Sequence, residues 1–248
     1  MSLTLIQIII AILPTVLIAT LIYKNDIIEK EPGKLLTRLF AGGIASAFLV
    51  IVVSTIAIMI FPFLAQDIGS LSYFEMFVSI FIGIALIEEA CKWVIFEYMG
   101  WNNKEFDYVY DAIVYMSFIG LGFATIENIG YVTDTGVLTA IVRAICSVPG
   151  HVFFAIHMGY YLGLAKQASI NKRKDLEKKN KWLSILIPVI YHTIFDFCLY
   201  AGTGSLVLIY FGFVFYLYIS SIKKLKQLSK IKLKLRDGVA SNLVETMI

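Results

Sequence analysis

The chain has 248 residues, of which 59% are hydrophobic and only 16% charged, and its mean hydropathy is +0.81. A soluble domain carries roughly 45–50% apolar and about 25% charged residues, so the composition excludes a soluble protein. It also excludes a disordered chain, which lacks apolar residues, and a disulfide scaffold, since only three cysteines are present. The sequence therefore predicts a polytopic membrane protein.

Apolar runs of membrane-spanning length follow one another along the chain. A transmembrane helix needs about 20 apolar residues, and the runs that meet this length cover residues 3–23, 39–65, 76–96, 112–133, 136–165, 183–201 and 203–222. The first run precedes its lysines, which is the reverse of a cleavable signal peptide, so we expect a retained span. Pro149-Gly150 predicts a kink or a division within the fifth run. The predicted fold is an all-α bundle of about seven transmembrane helices.

The basic residues fall on alternate sides of this predicted bundle. With seven spans, 19 of the 21 Lys and Arg residues lie in the first, third and fifth connections and in the C-terminal segment. The positive-inside rule places these segments and the C-terminus in the cytoplasm, with the N-terminus outside. The net charge of +3 then reflects contact with the anionic lipid bilayer and requires no nucleic-acid partner. We divide the chain into a transmembrane domain, residues 1–222, and a basic cytoplasmic tail, residues 223–248.

Nine ionisable residues lie inside the predicted spans, where each would cost several kcal/mol if it faced lipid. They are Glu88, Glu89, Lys92, Glu127, Arg143, His151, His157, His192 and Asp196. Four of them are carboxylates and two are fixed cations, so two negative charges are uncompensated if all ionise. Shared protons, protonated histidines or a bound metal dication could restore the balance. All three remedies are typical of a reactive site.

The spacing of these residues predicts which of them share a helix face. Glu88 and Lys92 are four residues apart, so an ion pair can hold Glu88 while Glu89 points about 100° away. His192 and Asp196 have the same spacing, which lets the carboxylate orient the imidazole. The rise of 1.5 Å per residue places the groups in the middle and outer parts of the bilayer.

Of the other intramembrane residues, we assign one to the predicted site and two to structural roles. Glu127 supplies a third polar turn, and small residues before it permit close helix approach. We interpret Arg143 as a structural cation paired with Glu127 or Asp134, and His157 as an interhelical hydrogen-bonding group. The sequence therefore predicts one site built from three helices.

The sequence lacks the motifs of several hydrolase classes. It has no His-Glu-x-x-His zinc motif and no Gly-x-Ser-x-Gly elbow. The Tyr110-Asp111 pair hints at an aspartyl dyad, but no partner aspartate follows a Gly-x-Gly in a later span. Glutamates with a histidine instead suit the deprotonation of a water molecule, directly or on a metal. Two alternatives remain open, namely a proton- or ion-coupled transporter and a non-enzymatic immunity or scaffold protein.

Several motifs carry a resemblance to a known family. They are Glu88-Glu89-x-x-Lys92, Asp111-Ala-Ile-Val-Tyr115, Gly120-Leu-Gly122-Phe123-x-x-x-Glu127-Asn128, the later His192 and the acidic stretch Asp26-x-x-Glu29-Lys-Glu31-Pro32. Together they resemble the PrsW family of intramembrane proteases from about residue 23 to 200. The resemblance implies a peptidase of the bacterial cytoplasmic membrane that makes the first, extracytoplasmic cut in a single-span anti-sigma factor. That cut begins the release of a stress-response sigma factor.

The resemblance also implies roles for individual residues, by way of the related CAAX prenyl proteases and bacteriocin-immunity proteins. Glu88 would activate water, Glu127 would occupy the place of a motif histidine, and His192 would stabilise the oxyanion. The implied catalytic residues are Glu88, Glu89, Glu127, His192 and Asp196, supported by Lys92, His151 and Phe123. Zn²⁺ is an open alternative, with Glu89, His151 and His192 as candidate ligands. Because the CAAX proteases resemble a metal-free glutamate design, we slightly favour a site without metal.

Overall fold

The computed structural model describes residues 3–26, 28–135, 137–231 and 235, and of residues 3–6, 132–135 and 137–140 it describes the backbone alone. The helices are α1 (Leu3–Asn25), α2 (Gly33–Ile60), α3 (Tyr73–Ser79), α4 (Ile87–Met99), α5 (Asp111–Thr135), α6 (Val137–Ile145), α7 (Ser147–Ile170), α8 (Lys174–Ala201) and α9 (Gly204–Leu228). Short 3₁₀ turns cover Pro62–Ala65 and Ile68–Ser70, and a π-helical segment covers Ile80–Leu86. No strand occurs among the described residues, so the prediction of an all-α fold is confirmed.

Six stretches of the described chain are long and apolar enough to cross a membrane. They are Gln7–Asn25, Gly33–Ile60, Asp111–Tyr131, Ile141–Ile170, Lys174–Ala201 and Gly204–Leu228. The remaining predicted span, 76–96, coincides with α3, the π-helical segment and α4, which follow one another without a break from Tyr73 to Met99. The predicted count of about seven is roughly consistent with this arrangement, and the protein is a multi-pass membrane protein.

The fifth predicted span is divided into two helices. α6 ends at Ile145 and α7 begins at Ser147, so the break lies at Cys146, three residues before the Pro149-Gly150 pair. Pro149 lies in the first turn of α7, where the missing N–H leaves no hydrogen bond of the helix unmade. The division is therefore confirmed, and the proline starts the second helix rather than kinking a single one.

α5 lies at the centre of the bundle and packs against α1, α2 and α7. The packing is close because glycines face neighbouring backbones: a Cβ at Gly122 would overlap the carbonyl oxygen of Phe40, and one at Gly159 would overlap that of Ala112. Removal of side chains at a helix crossing lets the two backbones approach, as is common between membrane helices. The crossing of α2 and α5 at Gly122 lies near the middle of α5, shortly before Glu127.

Large apolar side chains cover the outside of the bundle. Phe48 and Met59 of α2 are exposed, as is Leu208 of α9. In water such a surface would be a large unpartnered apolar patch, whereas lipid tails solvate it well. The outward apolar surface agrees with a membrane-embedded bundle.

The two C-terminal helices extend beyond the apolar runs that predicted them. α8 begins at Lys174, ahead of the apolar run 183–201, because its first turns consist largely of good helix formers that stay polar. α9 continues through Leu228, so residues 223–228 of the predicted tail prolong this helix. Residues 229–231 and 235 of the tail are described, and its remainder lies outside the described residues.

Candidate active site

A π-helical turn precedes the paired glutamates. The segment Ile80–Leu86 leads directly into α4, whose first turn carries Glu88 and Glu89. π-Helical turns are rare and are frequent at functional sites, since they alter the face that the following residues present. Both glutamates are buried, with Glu89 fully enclosed.

Glu89 joins α4 to α8. Its Oε1 accepts a hydrogen bond from Lys92 Nζ at 2.7 Å and lies 2.9 Å from Nδ1 of His192. Lys92 is only 1% exposed, so its charge depends on these contacts rather than on water. Glu89 therefore anchors two other members of the site.

Glu88 is the less restrained glutamate of the pair. Its Oε2 lies 3.7 Å from Lys92 Nζ and 4.0 Å from His192 Nε2. Among the described residues, Oε2 has no hydrogen-bond partner. The predicted ion pair between Lys92 and Glu88 is present, although Lys92 approaches Glu89 more closely and leaves Oε2 of Glu88 without a hydrogen bond to any described residue.

Glu127 and His151 join α5 to α7. His151 Nε2 lies 2.6 Å from Glu127 Oε2, and His151 Nδ1 lies 3.2 Å from Lys92 Nζ. Arg143 of α6 reaches the same carboxylate oxygen with Nη2 at 2.9 Å. It also donates from Nε to the side-chain oxygen of Asn128 at 3.3 Å. The predicted pairing of Arg143 with Glu127 is confirmed, and Asp134 lies among the residues whose side chains are not described.

His192 is held by carboxylates on both ring nitrogens. Asp196 Oδ2 lies 3.3 Å from Nε2, one helical turn along α8, while Glu89 occupies Nδ1. The predicted contact between His192 and Asp196 is present. However, sequence spacing alone did not indicate the second carboxylate, since it comes from a different helix.

Aromatic rings enclose the polar groups. Lys92 Nζ lies 4.0 Å from the ring centre of Phe123, and this ring meets the edge of His151 at 5.2 Å. Phe154 stacks on His192 with ring centres 4.9 Å apart and an interplanar angle of 22°. Such rings exclude water and hold the imidazoles in place. Phe154 was missed by the sequence reasoning, although its position three residues after His151 on α7 was a usable signal.

A cavity of about 260 Å³ opens beside these groups. Its wall includes Glu88, Glu127, His151, His192 and Asp196, together with apolar side chains and Arg143. Arg143 is therefore part of the cavity wall as well as a structural cation, which the sequence interpretation did not anticipate. The cavity brings together four of the five predicted catalytic residues, and Glu89 lies behind them.

His157 lies outside this site. Its Nδ1 contacts the carbonyl oxygen of Phe153 at 2.8 Å, and its Nε2 contacts Ser220 Oγ at 2.9 Å. Both ring nitrogens are therefore satisfied between α7 and α9. The interpretation of His157 as an interhelical hydrogen-bonding group is confirmed.

The site has the donor atoms that a metal ion requires. One ligand atom from each of Glu88, Glu89, His151 and His192 can be chosen so that all four atoms lie within 4.8 Å of one another. Oε2 of each glutamate is buried without a hydrogen-bond partner among the described residues. Carboxylate oxygens and imidazole nitrogens are ligands that Zn²⁺ accepts, and a dication would offset the two uncompensated negative charges. The residues present therefore fit a zinc ion.

Comparison with known proteins agrees with the site. A model of the PrsW family of intramembrane metalloproteases matches residues 31–221. The chain is 37% identical to the protease PrsW of Oceanobacillus iheyensis over 219 residues, which cover 87% of this chain and 93% of that protein. It is 35% identical to the protease PrsW of Geobacillus kaustophilus over 188 residues, or 76% and 77% of the two chains.

A further relative is more distant. The protease PrsW of Bacillus subtilis is 29% identical over 224 residues, which cover 90% of this chain and 95% of that protein. No solved structure matches the chain at comparable significance. The family's description as metalloproteases also favours a metal over the metal-free design preferred from sequence. The matched region contains every residue of the cavity wall, and the chain belongs to the PrsW family of intramembrane metalloproteases.

Proposed function

We propose that this peptidase makes the first, extracytoplasmic cut in a single-span anti-sigma factor, in the cytoplasmic membrane of a bacterium. The observation that carries the proposal is the position of the buried carboxylate–histidine cavity. It lies near the end of α8 at Asp196, whereas the lysine-rich connection precedes the other end at Lys174. With the basic connections in the cytoplasm, the cavity belongs to the outer half of the membrane.

Glu88 is the residue proposed to activate water. Both glutamates of the pair keep an Oε2 without a partner among the described residues, but only Glu88 lines the cavity, whereas Oε1 of Glu89 is engaged by Lys92 and His192. A carboxylate in this position accepts a proton from the attacking water and can return it to the leaving amine. Glu127 and Asp196 act as positioning residues, since each holds an imidazole.

Glu89, His151 and His192 are the proposed zinc ligands. A catalytic zinc site commonly has three protein ligands and one position open to solvent or substrate. The chemistry that a bound ion supplies is Lewis-acid polarisation of the scissile carbonyl. The contacts from Glu127 to His151 and from Asp196 to His192 match the outer carboxylates that usually orient metal-binding histidines.

Arg143 is the proposed stabiliser of the oxyanion. It contributes a guanidinium to the cavity wall, and its Nη2 lacks a well-aligned hydrogen bond among the described residues. A fixed cation directed at developing negative charge is effective where water is excluded. This assignment replaces the role first expected of His192, whose ring nitrogens both face carboxylates.

The cleavage is tested by co-expression with candidate single-span anti-sigma factors, using a blot for the truncated product. Glu88→Gln preserves the shape of the side chain and removes the base, so we expect it to abolish the product. Glu105→Gln changes a partly exposed loop carboxylate outside the cavity and should cleave like the parent. Cleavage by Glu88→Gln at the parental rate would exclude the proposed base, and absence of a product with the parent would exclude these substrates.

The metal assignment is tested separately by elemental analysis of the purified chain. We expect about one zinc per chain in the parent and in Glu88→Gln, and a loss of zinc in Glu89→Gln and His151→Asn. Added Zn²⁺ should raise the thermal midpoint of the parent and of Glu88→Gln, and should have little effect on Glu89→Gln and His151→Asn. This measurement is independent of cleavage. Loss of zinc in Glu88→Gln would instead make Glu88 a ligand.

A further inference from the structure

A second cleft lies on α8, away from the active-site cavity. It measures about 570 Å³ and is lined by Trp93 of α4 and by Lys174, Glu177, Lys178, Lys181, Trp182 and Ile185 of α8. It shares no lining residue with the active-site cavity. The proposed protease function makes no use of this cleft.

The cleft has a basic side formed by three lysines. Lys174, Lys178 and Lys181 follow a four- and three-residue spacing and so share one face of α8. Lys181 is already paired, since its Nζ lies 3.0 Å from Glu97 Oε1 and 3.8 Å from the ring centre of Trp101. Lys174 and Lys178 are exposed and form no ion pair with any described residue. The lining also contains one carboxylate, that of Glu177, which is outnumbered by the lysines. The cleft therefore keeps a net positive charge.

The opposite side of the cleft is apolar and aromatic. Trp182 is 65% exposed although it is the largest kind of side chain. Trp93 is held in place, because its Nε1 donates to Ser184 Oγ at 3.1 Å. Ile185 continues this side into the apolar part of α8.

The position along α8 places the cleft at a membrane surface. The lysines lie before the apolar run 183–201, and Trp182 directly precedes that run. Tryptophan is enriched where the hydrocarbon meets the lipid headgroups. The lysines belong to the connection that the positive-inside rule assigns to the cytoplasm. The basic side therefore lies at headgroup level and the aromatic side borders the acyl chains.

We propose that this cleft binds one anionic glycerophospholipid of the cytoplasmic leaflet. Lys174 and Lys178 contact its phosphate, and Trp93, Trp182 and Ile185 contact the glycerol and the start of the acyl chains. Basic pockets between membrane helices on the cytoplasmic side commonly bind anionic headgroups. A soluble phosphate could use the lysines but would leave the tryptophans in contact with water, so the combination selects a lipid.

Binding should stabilise the contact between α4 and α8. A ligand that binds only the folded state raises its stability with concentration. Trp93 and the lysines lie on the two helices that carry Glu89 and His192, so occupancy should be visible in thermal unfolding. Because the cleft and the active site share no residue, this binding does not require the catalytic glutamate.

The proposal is tested with the purified full chain in a neutral detergent, titrated with phosphatidylglycerol. Native mass spectrometry counts retained lipid, and thermal unfolding reports stabilisation. The double variant Lys174→Gln/Lys178→Gln should bind the lipid more weakly. Its half-saturating lipid concentration should rise on the order of ten-fold, as expected for the loss of two lysines near a phosphate. The matched variant Lys179→Gln/Lys223→Gln removes the same charge from exposed positions outside the cleft and should bind like the parent.

A brominated phosphatidylglycerol gives a second measurement, because bromine on the acyl chain quenches nearby tryptophan. We expect quenching in the parent and much less after Trp182→Phe. Equal weakening in both double variants would show a general surface-charge effect and overturn the proposal. Equal stabilisation by phosphatidylcholine or by inorganic phosphate would overturn it as well.

Discussion

Lys92 Nζ lies 2.7 Å from Glu89 Oε1, within a part of the bundle where both side chains are almost completely buried. The pair spans three residues of α4, whereas the four-residue pair with Glu88 is longer at 3.7 Å. The pairing divides the glutamates by role. Glu89 organises the site, and Glu88 keeps an oxygen for chemistry.

Removing Lys92 should lower the stability of the fold strongly, because both of its ion-pair partners are buried carboxylates. Lys92→Met leaves Glu89 buried without its cation, which for a buried pair costs about 3–5 kcal/mol. We expect a clear fall in the thermal midpoint in detergent. Lys92→Met/Glu89→Gln, which removes both charges, should recover part of this stability without restoring cleavage. If the double variant were no more stable than Lys92→Met, the unpaired charge of Glu89 would not be the cause of the lost stability.

Arg143 should affect turnover more than substrate binding. Arg143→Gln removes the proposed oxyanion contact, and loss of such a donor typically lowers kcat by about 10²–10³-fold. We expect KM to change little, because the interaction strengthens only as charge develops. Kinetics with a reconstituted substrate would measure this, with the exposed Arg38→Gln as control. A rise in KM at constant kcat would assign Arg143 to substrate binding instead.

Glu31 lies in the connection between α1 and α2, outside the spans, and should make stability depend on pH. Burial raises the pKa of Glu31 from its ordinary value near 4.5 to about 9, and the nearby carboxylate of Asp111 adds to this. Asp26 and Asp107 act in the same direction, while the hydroxyl of Tyr115, which donates to Glu31 Oε2 at 3.0 Å, opposes them. The folded state therefore favours the protonated carboxyl.

The sign of the effect follows from proton binding. Between about pH 4.5 and 9 the folded state binds more protons at Glu31 than the unfolded state, so stability falls as pH rises through this window. Glu31→Gln should flatten that decline, whereas Glu105→Gln, at a partly exposed loop position, should leave it unchanged. Thermal midpoints measured across the window test this, and an equally steep decline in Glu31→Gln would refute it.

The crossing of α2 and α5 should not accept a side chain at Gly122. Gly122→Ala would drive its Cβ into the carbonyl oxygen of Phe40, and overpacking of this kind typically costs about 1–3 kcal/mol. Gly130 lies in the same helix, and no described atom beyond its own stretch of helix comes within 4 Å of its added Cβ. Gly130→Ala should therefore be neutral or stabilising by about 0.5–1 kcal/mol. Chemical unfolding of the two variants compares them directly.

Much of the site could be predicted because ionisable residues are costly in apolar segments. Glu88, Glu127 and His192 stood out for that reason, and the resemblance added their expected roles. Arg143 was visible by the same criterion, yet its place on the cavity wall was not, since that depends on how α6 meets α5. Phe154 did not stand out by this criterion, because an aromatic side chain costs little free energy in a membrane span and is common there.

The order of apolar and charged residues was enough by itself to determine a multi-pass helical membrane protein and the few residues able to do chemistry. Hydrophobic burial and hydrogen-bond satisfaction in lipid leave an apolar chain of this kind few other folds. Only the tertiary structure decided which glutamate Lys92 approaches more closely, which helix supplies the second carboxylate of His192, and where the fifth span divides. Those outcomes depend on helix rotation, the π-helical turn and glycine-mediated crossings, whose effects act between segments that are distant in sequence.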